Sequence, residues 1–152
     1  MDLILIRHAE AESADGKADS DRELTVHGHQ QAARLAEALA KRFRPAVVVS
    51  SPYIRAVQTA AALAPGLSLA ETELLIPEAD RFKKLTAWLT DRGDGPVAAV
   101  GHNPSLSYYL AWLLGAEDVA VPMEKAAAAA VRLDRAGKGG GKLVWFVTPD
   151  WC

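Results

Sequence analysis

A chain of 152 residues, half of them hydrophobic and 24% charged, has the size and balance of one domain spanning 1–152, with a core that needs no staples. The net charge of −2 argues against nucleic acid or an anionic membrane as partner, since both call for a basic surplus. The single cysteine, Cys152, rules out an intramolecular disulfide and points to a reducing compartment, the cytoplasm by default.

Leu3-Ile4-Leu5-Ile6 is a short apolar run suited to a strand buried on both faces. Arg7 cuts it off at once, so it is not a signal peptide, and no segment reaches the ~18 apolar residues that a membrane span needs. A polar loop runs from about Ala14 to Glu23. Thr25 then caps a helix carrying Ala32, Leu35, Ala36, Leu39 and Phe43 on one face, stopped by Pro45. Val47-Val48-Val49 is a second strand. Ser51 and Pro52 read as N-cap and first residue of a second helix, which ends at Pro65-Gly66. A weaker extended stretch covers Ser68–Leu75. Asp80 reads as the cap of a third helix with Phe82, Leu85, Trp88 and Leu89, closed by Gly93. Val97–Val100 is another buried strand. Asn103-Pro104 opens a fourth helix with Leu106, Leu110, Leu113 and Leu114, closed by Gly115.

Ala126–Val131 sets two signals against each other. Its alanines favour helix. The glycine turn Gly137–Gly141 and the clear strand Leu143–Val147 favour a hairpin, and strand is the expectation taken. The whole reads as a three-layer α/β/α sandwich: a mainly parallel sheet with helices on both faces.

Three polar clusters each follow an apolar strand directly: Arg7-His8-Ala9-Glu10, Ser50-Ser51-Pro52-Tyr53-Ile54-Arg55 and Gly101-His102-Asn103. Parallel α/β sheets bind ligands at the carboxyl ends of their strands. If the three strands are neighbours, Arg7, Arg55, His8 and His102 meet in one pocket near a helix N-terminus. Arginine forks match phosphate oxygens, and helix N-termini attract anions. A neutral imidazole can attack phosphorus, and nearby cations help keep it neutral. The expectation is an anion site with His8 as nucleophile. Taken singly, each residue has a plainer reading, as a surface pair, a solvated helix residue or a satisfied core histidine.

These residues resemble the signature of the histidine phosphatase superfamily, also called phosphoglycerate mutase-like. Its Arg-His-Gly tripeptide reads here Arg7-His8-Ala9, similar to the form in small SixA-type phosphohistidine phosphatases. Leu24-Thr25-Val26-His27-Gly28 looks like the family's Leu-Thr-x-x-Gly segment. Ser51-Pro52-Tyr53-Ile54-Arg55-Ala56-Val57-Gln58-Thr59-Ala60 is similar to its Ser-Pro-x-x-Arg-Ala-x-Gln-Thr-Ala segment, and Val100-Gly101-His102-Asn103-Pro104 to the segment of the second histidine. The resemblance implies a phosphoglycerate mutase-like fold and a phosphohistidine intermediate on His8. Arg7, Arg55 and His102 would bind phosphate beside it. Leu75-Ile76-Pro77-Glu78-Ala79-Asp80 resembles a SixA-type segment, which makes Glu78 and Asp80 candidate proton donors.

Arg55 and His102 lie 47 positions apart, and one weak strand, one helix and one strand nearly fill that interval. No lid-sized insertion remains, so an open, shallow pocket is expected, suited to a phosphate displayed on a protein. The mechanism calls for no metal or other cofactor. Gly137–Gly141 lacks the spacing of a P-loop, and His27-Gly28-His29 lacks partners for a metal. Two alternatives stand beside a protein phosphohistidine phosphatase. One is a phosphomonoesterase or mutase of small molecules; the other is a non-catalytic phosphate-binding module.

Overall fold

The computed structural model describes residues 1–67, 69–116 and 121–151. Six strands form one sheet: β1 Asp2–Arg7, β2 Val47–Ser50, β3 Leu69–Glu71, β4 Val97–Gly101, β5 Ala128–Leu133 and β6 Gly141–Val147. Their order is β3-β2-β4-β1-β5-β6. The β3–β2, β2–β4 and β4–β1 pairs are parallel, and β1–β5 and β5–β6 antiparallel. The sheet is therefore mixed, parallel on the side that carries the three clusters.

Four helices cover it: α1 Val26–Arg42, α2 Ile54–Leu63, α3 Phe82–Thr90 and α4 Ser105–Leu113. Alternate strand residues point to opposite faces. Ile4, Ile6, Val48, Ala98 and Val100 pack on Leu35 and Leu39 of α1 and Ala56, Ala60 and Leu63 of α2. Leu3, Leu5, Val97 and Ala99 pack on Leu85 and Leu89 of α3 and Leu106, Tyr109, Leu110 and Leu113 of α4. Each fully buried Val, Leu or Ile among these contributes about 1.5–3 kcal/mol. Both faces being covered explains why β1 and β4 are apolar at nearly every position.

Two expected helix starts are corrected. Helix α2 begins at Ile54 with Tyr53 at its N-cap, so Ser51 and Pro52 stand outside it. The Ser51 hydroxyl accepts from the Tyr53 N–H at 3.2 Å and also reaches across the sheet, a use that competes with capping. Arg55 thus lies in the first turn of α2. Helix α3 begins at Phe82 with Arg81 at the N-cap, so Asp80 does not cap it. The stretch predicted over Ser68–Leu75 holds only the short β3 and a 3-10 turn at Glu73–Leu75, and Ser68 lies outside the described residues. Thr25 caps α1 as expected, accepting from the Gly28 N–H at 2.9 Å.

The alanine-rich segment forms strand β5 from Ala128 on, with Ala126 and Ala127 leading into it. Its alternating side chains fill both faces of the sheet, with Ala127, Ala129 and Val131 on one and Ala128 on the other. Pairing with β1 and β6 outweighs the modest helix preference of alanine.

Candidate active site

Strand β4 runs between β1 and β2, with Arg7 opposite Gly101 and Ser50 opposite Val100. The three clusters therefore emerge side by side from one edge of the parallel half-sheet. The His8 N–H donates to the Gly101 carbonyl at 3.0 Å, which carries the ladder one residue past β1. From the other side, the Ala126 N–H reaches the carbonyls of Arg7 and His8, both at 3.1 Å. The backbone at His8 is held from two directions.

The four predicted phosphate-site residues are brought together. His8, Arg55 and His102 retain only 6%, 4% and 1% of their exposure, and Arg7 is half-buried. The imidazole rings of His8 and His102 have centroids 5.0 Å apart. His8 Nδ1 lies 2.7 Å from the carbonyl oxygen of Ala9, which only accepts, so Nδ1 carries the proton. The lone pair of the neutral ring is then on Nε2. Arg55 Nε donates to that atom at 3.2 Å.

Burial is the main cause that drives His8 down to about pKa 4, and the charges of Arg55, Arg7 and Arg22 add to it. Burial first, then His8 and Arg55, push His102 down to about 2. Both rings are neutral in the free protein at neutral pH. Burial and the neighbouring Arg55 also lower the pKa of Arg7.

Arg7 and His102 hold buried polar atoms that lack partners among the described residues, Arg7 Nε and His102 Nδ1. Such atoms cost about 1–3 kcal/mol each unless something satisfies them. Arg7 Nη1 donates to the Met123 carbonyl at 2.9 Å, which also accepts from Asn103 Nδ2 at 2.9 Å. His102 Nε2 meets Ser51 Oγ at 2.8 Å, and the Tyr53 ring stands edge-on to His102 with centroids 5.0 Å apart.

Several residues of the motif segments act as positioning devices. Thr59 Oγ1 accepts from the Ala9 N–H at 3.0 Å and donates to the Arg55 carbonyl at 2.8 Å, tying the His8 loop to α2. Gln58 Oε1 accepts from the Leu24 N–H at 2.7 Å. Thr25 Oγ1 donates to Glu10 Oε1 at 2.8 Å. A Cβ at Gly28 would lie 1.9 Å from the Glu10 carbonyl oxygen, so only glycine lets α1 approach that loop.

Asp19 and Arg22, in the polar loop before α1, are site neighbours that no motif marks. A 3-10 turn at Asp19–Asp21 lies against α2. Arg55 Nη1 donates to the Asp19 carbonyl at 2.6 Å and Nη2 to its carboxylate at 3.2 Å. Arg22 Nη1 donates to the same carboxylate group at 2.8 Å. No periodicity marks such a loop. The only available signal was its place directly before Leu24-Thr25. This loop, from before α1, closes on Arg55.

Glu78 and Asp80 are not part of the cluster. Both are exposed on the loop before α3, and neither hydrogen-bonds to Arg7, His8, Arg55 or His102. They line an open groove of about 560 Å³ with Phe82, Pro104, Tyr108 and Trp112. Glu78 comes nearest, since its charge is felt at the Tyr53 phenol. His27 and His29 are exposed at the start of α1.

Comparison with known proteins accords with this geometry. The family description "Histidine phosphatase superfamily (branch 1)" matches residues 3–76. The chain is 30% identical over 157 residues to the phosphohistidine phosphatase SixA of Escherichia coli (strain K12), covering 98% of this chain and 94% of that one. A structure of the protein histidine phosphatase SixA complexed with tungstate superposes with a TM-score of 0.84 at 29% identity, covering 99% of this chain and 98% of that one. A putative phosphohistidine phosphatase SixA from Agrobacterium tumefaciens gives 0.77 at 26%, covering 97% of both chains. The fold and these similarities together define a phosphatase on an α/β sandwich. The chain belongs to the histidine phosphatase superfamily, and its similarity to SixA runs along nearly the whole length.

Proposed function

We propose that this phosphatase works through a phosphoryl group carried on His8 Nε2, and that its substrate is phosphohistidine on a protein. The observation that carries the reading is the fixed tautomer of His8. The Ala9 carbonyl takes the Nδ1 proton, so the lone pair on Nε2 faces the Arg55 fork 3.2 Å away. A phosphate entering there takes the Arg55 Nε–H from Nε2 and frees the lone pair. Arg7 Nε and His102 Nδ1, which lack partners among the described residues, supply further contacts to its oxygens. Preorganised donors of this kind stabilise the charge that spreads over the equatorial oxygens in transfer.

In the first step Nε2 attacks phosphorus, the bond to the leaving group breaks, and its electron pair departs with that group. In the second, water attacks phospho-His8 and the N–P bond breaks, which returns Nε2. The SixA structure complexed with tungstate supports the anion site, since tungstate is a tetrahedral oxyanion like phosphate.

The choice of substrate rests on the leaving group. Asp19 is the carboxyl group in contact with the cluster, and its ion pairs keep it ionised. Glu78 and Asp80 make no hydrogen bond to the cluster, and Glu78, whose charge acts on Tyr53, is the better placed of the two candidate proton donors. An ester oxygen needs a proton to leave easily, whereas imidazole is a good leaving group, so the site favours a phosphoramidate. The relatedness to SixA supports the same choice. We read residues 1–152 as one catalytic domain acting in the cytoplasm, in keeping with its lone cysteine. Among the described residues no helix is long and apolar enough to cross a membrane.

The test is a panel of a phosphohistidine peptide, p-nitrophenyl phosphate and 3-phosphoglycerate, each with wild type and His8→Ala. The reading expects the peptide to give the highest kcat/KM and the variant to be inactive on all three. A small ester preferred over the peptide would overturn the substrate assignment. Full activity in the variant would overturn the nucleophile.

A further inference from the structure

Asp19 is an odd residue to find beside a phosphate pocket. A carboxylate repels a phosphate dianion, yet this one rests on the arginine that faces the nucleophile. Its side chain is 51% exposed while its partner Arg55 is 4% exposed, so it stands at the mouth and not in the floor. Along the Arg55 guanidinium, Nε faces His8 Nε2, and Nη1 and Nη2 face Asp19. The carboxylate therefore stands at the mouth of the site, across the Arg55 guanidinium from His8 and on its solvent side, within reach of a group carried by a phosphate held on the same fork. Arg22 Nη1 at 2.8 Å and Arg55 Nη2 at 3.2 Å both hold it. The guanidinium of Arg55 offers more donors than the contacts to Asp19 use, so phosphate and carboxylate can share it.

We propose that Asp19 selects the leaving group: its carboxylate accepts the N–H of a substrate phosphoimidazole protonated on its distal nitrogen, and so favours P–N over P–O cleavage. The proposal rests on the phosphatase reading above. In the step, the Nε2 lone pair of His8 forms the new N–P bond. The old P–N bond breaks, and its electron pair returns to the departing ring nitrogen. The ring leaves as neutral imidazole and keeps the proton that faces Asp19. No separate acid is needed, because the proton is already on the substrate.

The groups facing Asp19 are Arg22 from its own loop, Arg55 and the Tyr53 phenol at the start of α2, and His102 after β4. The hydrogen bond from Arg22 is the largest cause, and Arg55 adds to it, in holding the Asp19 carboxyl below the ordinary carboxylate range. It is a carboxylate throughout the pH range where a phosphoimidazole gains its proton. An ester substrate offers no cation to this group and meets only its repulsion.

The experiment compares wild type, Asp19→Asn and Asp19→Glu on a phosphohistidine peptide and on p-nitrophenyl phosphate, from pH 6 to 9. The quantity read is the ratio of kcat/KM for the peptide to kcat/KM for the ester. Asp19→Asn is expected to lower that ratio at least tenfold and to move the alkaline limb of the peptide's pH profile to lower pH. Asp19→Glu, which keeps the charge, is expected to retain most of the ratio. An equal fall on both substrates, with unchanged pH limbs, would show that Asp19 merely positions Arg55 and would overturn the proposal. A wild type that hydrolyses neither probe would overturn the phosphatase reading as well, so the two failures are distinguishable.

Discussion

The two buried imidazoles should make the fold acid-sensitive in a window where no other group with a resolved shift titrates. His8 and His102 have folded pKa values of about 4 and about 2, against 6.5 for an unperturbed ring. Between these values the unfolded chain binds a proton that the folded chain refuses, so stability falls as pH falls. Above 6.5 both states are neutral and there is no slope. Each ring costs the folded state about 1.4 kcal/mol per pH unit once the window is entered. Together they amount to about 4 kcal/mol between pH 7 and pH 5, a large part of an ordinary domain's 5–15 kcal/mol. Carboxylates with lowered pKa, such as Asp2 and Asp19, lose their contribution only at lower pH. Urea denaturation in phosphate-free buffer at several pH values measures the slope. The double variant His8→Asn, His102→Asn should flatten it. A wild type that loses less than about 1 kcal/mol over this range would refute the claim that both rings are buried neutral.

Other outcomes test the scaffold around the nucleophile. Gly28→Ala should destabilise the protein by about 1–3 kcal/mol despite alanine's better helix propensity, because its Cβ meets the Glu10 carbonyl at 1.9 Å; a rise in Tm would contradict this. Thr59→Val strands the buried Ala9 N–H and should cost about 1–3 kcal/mol in denaturation while lowering kcat. Arg55→Lys removes the fork that faces Nε2, and kcat should fall by roughly 10²–10³ with the fold intact by circular dichroism.

The parts of the fold legible in the sequence were those governed by periodicity and burial. β1 and β4 show as unbroken apolar runs because helices cover both faces of the sheet. The clustering of Arg7, His8, Arg55 and His102 was readable because each follows a strand end, and strand ends on one edge converge. Boundaries set by side-chain competition were not readable. Ser51 has the chemistry of a cap but is engaged with His102, and Asp80 likewise has cap chemistry without a cap's geometry. Asp19 was hidden for a different reason. Its role depends on a loop that folds back over a helix 36 positions later, and local sequence carries no trace of that contact.

The central claim, that His8 Nε2 receives the phosphoryl group, is tested most directly by trapping in an alkaline quench. The enzyme is mixed with a phosphohistidine peptide or an activated phosphate ester, quenched on the millisecond scale under conditions that preserve P–N bonds, and digested for mass spectrometry. The account predicts one transient phosphoryl group, on the peptide containing His8, at Nε2 and absent from His8→Ala. Phosphate found on His102 instead, or turnover with no phosphorylated histidine at any time, would contradict it.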